Sequence, residues 1–330
     1  MVFLQNILPP HLFDAIDRGG ICTTHQVITL SVWDIKKLTN LSADDILLLK
    51  TIIAQHLCPK SFTCYDLIMC RMKKTHISVG CSAIDNLLKG GFRRGKLTEI
   101  YGESGSGKTQ VALQTALHNW SDGCVYICTE DVFPTRRFEE IKINLSTFNP
   151  SVDYGKKIFV EHITESKDLQ FCIKMRLPRL LTENKITLII IDSIAAPYRC
   201  ENTNYMKRAE ELRELAMSLT SIAQEYNAAI LCVNQVTSSF DDTSNILPAL
   251  GLAWSNMINT RLMLRKTMKV VDKHVREERL QYTRYVRELS VIFSPELPNE
   301  ITDHWSICFI TNNIPNPSFY FHSRKIYTKT

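Results

Sequence analysis

The clearest chemistry in the chain lies in one glycine-rich stretch. Gly102, Glu103, Ser104, Gly105, Ser106, Gly107, Lys108 and Thr109 fit the spacing GxxxxGK[ST], with Gln110 following. Glycines at these positions let backbone N–H groups turn inward around phosphate oxygens, and a helix opening at Lys108 adds its positive end. Lys108 is placed to neutralise the β- and γ-phosphates, and the Thr109 hydroxyl to ligate Mg²⁺. The chemistry expected is binding of ATP with Mg²⁺. The rival reading, a flexible glycine turn, does not explain why lysine and threonine follow at that spacing.

Three more residues fall where such a site needs them. Asp192 ends the apolar run 188–191, and a carboxylate at the C-terminal end of a buried parallel strand sits on the edge where ligands bind. There it would hold the Mg²⁺ shell through water. Glu130 follows the apolar segment 124–128 and is a candidate to polarise a water that attacks the γ-phosphate. Its neighbour Asp131 is an equal candidate on residue type alone, and a helix-capping acid is the plain alternative for either. Gln235, after segment 228–233, is an amide on the same edge. It would sense the γ-phosphate, with an ordinary polar strand end as its rival.

These residues need a sheet to hold them. Segments 97–101, 124–128, 157–162, 187–191 and 228–233 read as strands, with helical spacing over 109–120, 167–182 and 206–226 between them. Apolar strands linked by helices indicate an α/β fold with a mostly parallel sheet. Segments RLMLR, LSVIF and WSICFI after residue 260 add an antiparallel extension. The core is placed at residues 77–330. Residues 1–60 form a small helical N-terminal domain, and 61–76 a connection between the two. In residues 31–57 two short helices are expected, with Asn40 or Ser42 capping the second and Ile46, Leu49, Ile53 and Leu57 on its buried face.

Composition limits the remaining classes. The chain has 330 residues, 45% hydrophobic and 22% charged, which excludes disordered and fibrous proteins. No apolar run reaches the ~18 residues of a membrane helix, and prolines interrupt the apolar start, so neither a membrane span nor a cleaved secretory signal is expected. Eleven cysteines without a CxxC pair read as buried free thiols in a reducing compartment. Only 12 glycines occur, and six lie between Gly90 and Gly107. Gly102, Gly105 and Gly107 serve the loop, while Gly90, Gly91 and Gly95 serve the turns before it.

Taken in order, GESGSGKTQ, YICTEDVFPTRRF, LIIIDSIAAPYR, LCVNQV and PALGLAWSNMINTRLML resemble the RecA-type recombinase family, in its eukaryotic branch. The resemblance covers about residues 30–310. It implies a RecA-like ATPase core and a weak DNA-dependent ATPase, located in the nucleus and acting in homologous-recombination repair. It assigns the water-activating role to Glu130, adenine stacking to Arg137, and the link between nucleotide state and DNA-binding loops to Gln235. Those loops would lie near 198–208 and 236–249, with Gly251 a hinge beside the second. The implied partners are another recombinase paralogue and single-stranded or branched DNA.

Two departures qualify these expectations. The family assembles through a phenylalanine followed by alanine three residues on, whereas here Phe62 is followed by Tyr65. A methyl-sized pocket resists a phenol ring, so a differently shaped partner is expected in place of long homofilaments, unless both rings pack on their own core. The loops are also thin in charge: 236–249 holds Asp241 and Asp242 and no Lys or Arg, and the first loop region offers Arg199, Lys207 and Arg208 beside Tyr198 and Tyr205. Residues 261–288, including Arg276, Arg279, Arg284 and Arg287, carry nine basic residues against four acids. They form either a DNA-facing basic surface or a solvated one. Two other functions stay open: an assembly subunit gated by ATP with negligible hydrolysis, and a small-molecule phosphotransferase, for which no acceptor feature is present.

Overall fold

The computed structural model describes residues 4–58, 61–69, 75–145, 148–199, 205–237, 246–272, 283–297 and 305–308. It divides into two compact units, Met1–Lys73 and Lys74–Thr330. The first is helical: α1 (Pro10–Arg18), α2 (Thr24–Thr29), α3 (Val32–Thr39), α4 (Ala43–Leu57) and α5 (Cys64–Met69), the last within the segment read as a connection. Side chains of Thr23, Ser31 and Ser42 accept from the backbone N–H three residues on and start α2, α3 and α4. Ser42 therefore caps α4. Asn40 instead ends α3, at a left-handed φ of 56°. Leu12, Ile16, Ile35, Ile46, Leu49 and Ile53 form the core of this unit. Leu57, expected on the buried face of α4, is exposed, because it lies at the helix's last residue beyond the packed turns.

The second unit holds β1 (His76–Ile77), α6 (Ser82–Leu87), β2 (Phe92–Arg93), β3 (Leu97–Tyr101), α7 (Lys108–His118), β4 (Cys124–Cys128), α8 (Thr135–Ile143), β5 (Ile158–His162), α9 (Ser166–Phe171), α10 (Leu177–Glu183), β6 (Leu188–Asp192), α11 (Tyr205–Glu225), β7 (Ala229–Asn234), β8 (Val236–Thr237), β9 (Leu247–Pro248), α12 (Gly251–Ser255), β10 (Thr260–Asp272), β11 (Thr283–Phe293) and β12 (Trp305–Cys308). A π-helical segment, Cys172–Arg176, joins α9 to α10. It keeps residues 166–183 in one helical run, as the apolar spacing predicts.

One sheet carries the order β12-β11-β10-β3-β7-β6-β4-β5. Strands β10, β3, β7, β6, β4 and β5 pair in parallel, while β11 and β12 run antiparallel beyond β10. The fold is thus α/β with a mostly parallel RecA-like core and an antiparallel C-terminal extension. The central strands are apolar on both faces because both are covered. Leu188, Ile190, Leu231 and Tyr126 face a layer containing α7 and α8, and Ile189, Ile191, Ile230 and Ile127 face one containing α9 to α11. Burying each such side chain contributes about 1.5–3 kcal/mol.

The cysteine reading divides by unit. Cys81, Cys124, Cys128, Cys172 and Cys232 are buried free thiols, and burial pushes Cys128 and Cys172 up to about 12, which leaves them protonated and unreactive. Cys22, Cys58 and Cys64 are exposed instead, because the small helical unit has too little interior to take them. Among the described residues no helix is long and apolar enough to cross a membrane.

Candidate functional site

Parallel pairing brings the site residues to one edge. Tyr101 stands level with Asn234, Val233 with Asp192, and Asp192 with Cys128. The residues that follow these strand ends, Gly102, Gln235 and Glu130, therefore emerge side by side with Asp192. They open onto a cavity of about 870 Å³ lined by both halves of the glycine loop.

The loop's backbone explains its glycines. Gly105 and Gly107 have φ of 71° and 110°, values that favour glycine. At Gly102 the reason is space: a Cβ there would collide with the carbonyl of Leu264 on β10. Helix α7 begins at Lys108, so its first N–H groups face the cavity. Gly102, Ser104, Gly105, Gly107, Lys108, Thr109 and Gln110 line it, whereas exposed Glu103 and buried Ser106 do not. The Ser106 hydroxyl is buried without a protein partner. An open cradle bounded by backbone amides, with a bare hydroxyl beneath it, fits a phosphate chain.

Lys108 folds back on its own loop, donating to the carbonyls of Gly102 at 2.7 Å and Glu103 at 2.9 Å. Burial lowers its ammonium below the usual lysine value, opposed by the charges of Asp192, Glu130 and Glu103. Burial likewise raises the Asp192 carboxyl, opposed by hydrogen bonds from Tyr126 and Thr109 and by Lys108. The Tyr126 hydroxyl donates to Asp192 Oδ2 at 2.7 Å. Both shifts run against charge, so this edge of the sheet gains from a ligand that supplies both signs.

Glu130 is held from two directions. Gln235 Nε2 donates to both its oxygens at 2.6 Å, and Arg199 Nη1 donates to Oε1 at 2.9 Å. Asp131 stays solvent-exposed at the cavity rim. The geometry therefore separates two acids that residue type left equal. Arg137, on α8, reaches the loop's flank, with Nε donating to Gln110 Oε1 at 2.5 Å and Nη1 to Glu140 at 2.8 Å.

Sequence reading missed a buried network behind the site. Glu99, in the middle of β3, is fully buried. It accepts from Asn234 Nδ2 at 2.7 Å, Trp254 Nε1 at 2.8 Å and Arg261 Nε at 2.5 Å. Asn234 also donates to the Ala249 carbonyl and accepts from the Gln235 N–H. Together with the β8–β9 pairing, it ties both ends of residues 238–245 to the strand that enters the phosphate loop. A lone carboxylate inside an apolar strand was the available signal. We expect Glu99→Ala to destabilise the protein by about 3–5 kcal/mol in denaturant melts, because it strands the Arg261 charge. A loss below about 1 kcal/mol would show that the network is not structural.

The basic stretch 261–288 is also corrected. Arg261 turns inward to Glu99, Arg265 pairs with Glu288, and Arg287 is buried, donating to the Gly105 carbonyl at 3.3 Å. These arginines brace the sheet and the phosphate loop and do not form a surface patch. Alternation along β11 puts every second side chain on the loop's side of the sheet. Arg276 and Arg279, most of the second loop with Asp241 and Asp242, and residues 200–204 of the first lie outside the described residues, as does the side chain of Arg284. Gly251, with φ of 67°, follows Leu250 at 78° and opens α12.

The comparisons agree with this architecture. The family described as Rad51 matches residues 70–276. The DNA repair protein XRCC3 of Bos taurus is 31% identical, over 88% of this chain and 92% of that protein, and the XRCC3 of Mus musculus is equally similar. The DNA repair protein rhp57 of Schizosaccharomyces pombe is 28% identical over 82% of this chain and 89% of its own. With its phosphate loop, its acidic strand ends and most of its length accounted for in this way, the chain belongs to the Rad51 family.

Proposed function

We propose that the chain is an ATP-binding recombinase paralogue that acts in homologous-recombination repair of DNA breaks. It works as a subunit that assists a main recombinase, within the nucleus. The carrying observation is the convergence of Lys108, Thr109, Asp192, Glu130 and Gln235 around one phosphate-shaped cavity. The names of its relatives, all DNA repair proteins, support the biological setting. Lys108 and the loop amides bind the β- and γ-phosphates, and Arg137 lies against the adenine. Thr109, with Asp192 through water, holds Mg²⁺, which screens phosphate charge. Hydrolysis has Glu130 accept a proton from water as its oxygen bonds the γ-phosphorus. The bond to the β–γ bridging oxygen breaks, and ADP leaves.

Partnership is proposed through Phe62 and Tyr65, which are 59% and 66% exposed rather than packed on a core. They would dock on another recombinase paralogue, and the ATP-ordered loops after Asp192 and Gln235 would meet single-stranded or branched DNA. A second reading, an assembly subunit gated by ATP with negligible turnover, is favoured by the fact that both Glu130 oxygens are already occupied.

The test is steady-state ATP hydrolysis by the full chain, alone and with candidate paralogues, with and without single-stranded DNA. DNA-stimulated turnover is expected in at least one combination. No stimulation in any of them, together with no DNA binding at low salt, removes direct DNA action from the proposal. Loss of co-purification in a Phe62→Ala, Tyr65→Ala double variant checks the docking residues.

A further inference from the structure

Arg199 lies just past a short 3-10 turn, Ala196–Tyr198, that follows β6. It reaches Glu130 across the cavity mouth, Nη1 to Oε1 at 2.9 Å. Gln235 bonds the same carboxylate from the end of β7, at 2.6 Å to each oxygen. Each donor heads one of the two segments assigned to nucleic acid: Arg199 immediately precedes residues 200–204, and Gln235 stands shortly before 238–245. The group placed to take a proton from water is therefore held from both loop stems at once.

A carboxylate engaged by a guanidinium and an amide is a poorer base, and its oxygens are not free to orient water. The hold is reversible by construction. Arg199 and Glu130 are 49% and 46% exposed, and exposed ion pairs of this kind are weak and screened by salt. A nucleic-acid phosphate offers the same guanidinium two parallel, charge-assisted hydrogen bonds. Buried neighbours such as Tyr198 keep the turn fixed, so the arginine head can exchange partners while its backbone stays in place.

We propose that Arg199 is a positioning residue that holds Glu130 in a resting arrangement and releases it when a single-stranded polynucleotide takes the guanidinium. ATP hydrolysis is thereby coupled to occupancy of the first loop. This inference rests on the reading that Glu130 activates water.

The test compares the full-length chain with Arg199→Ala and Arg199→Lys in steady-state ATP hydrolysis, with and without an oligo-dT strand. Arg199→Ala is expected to raise DNA-free kcat about threefold to fivefold, with KM within about twofold, and to bring DNA stimulation close to onefold. Arg199→Lys, which keeps the charge but not the fork, should fall between. Unchanged DNA-free turnover with DNA stimulation retained overturns the inference. So does a lowered DNA-free kcat, which would assign Arg199 to the γ-phosphate instead. Wild-type turnover that depends on Glu130 while Arg199→Ala behaves identically defeats the Arg199 role alone. Absence of Glu130-dependent turnover in every variant defeats the underlying reading as well. Should Arg199→Ala be insoluble, Arg199→Gln serves with the same outcomes.

Discussion

Lys108→Ala is expected to weaken ATP binding at least about 100-fold, equivalent to about 2.7 kcal/mol. The magnitude follows from what one ammonium does in a half-enclosed loop. It would make two or more charge-assisted hydrogen bonds to phosphate oxygens, each worth about 1.5–3 kcal/mol, offset by those it leaves on Gly102 and Glu103. The loss should grow with phosphate count, large for ATP and ADP and small for AMP. Titration with a fluorescent nucleotide analogue reads it directly. Because truncation also frees two loop carbonyls, a melting curve must accompany the titration. Lys108→Arg provides a second check, since it keeps charge but replaces a compact ammonium with a planar fork that this loop is not shaped to take. An alanine variant that binds ATP within about threefold of wild type would mean that the loop is structural.

The parts of the fold that were legible in the sequence are those set by period and spacing. The strands at 97–101 and 124–128 were placed to the residue, because four or five buried apolar residues between turns admit little else. Helix α11 and the phosphate loop were legible for the same local reasons. The contacts that distinguish one carboxylate from another were not. Glu130 differs from Asp131 only through Gln235, 105 residues away, and Arg199, 69 residues away, and no local pattern encodes that pairing. Arg261 and Arg287 misled for a related reason: a charge run reads as surface until strand alternation shows which side chains face inward. Glu99 is the instructive miss. A carboxylate between Thr98 and Ile100 in a buried strand demands partners, and the sequence supplied them at 234, 254 and 261, where only the fold brings them together.

Glu130→Gln is expected to lower ATP turnover by about 10²–10⁴-fold with ATP affinity within about threefold of wild type. The substitution preserves shape and removes one function, the capacity to accept water's proton. It does not touch the phosphate loop, so binding and hydrolysis should separate, the pattern of a group whose contribution is made only in the transition state. Its effect on the neighbours is modest. Arg199 loses a charged partner in an exposed pair worth about 0.2–1 kcal/mol, and the Gln235 amide can rotate to face the new amide. The same variant decides between the two functional readings. If cells carrying it at normal protein level and with normal partner binding fail to repair DNA breaks, hydrolysis is part of the function. If repair is intact while Lys108→Ala abolishes partner binding, nucleotide occupancy alone does the work, and the closed arrangement of Gln235, Arg199 and Glu130 is the functional state. A Glu130→Gln chain that hydrolyses ATP at the wild-type rate would remove Glu130 from the mechanism and leave Asp131 as the acid to test.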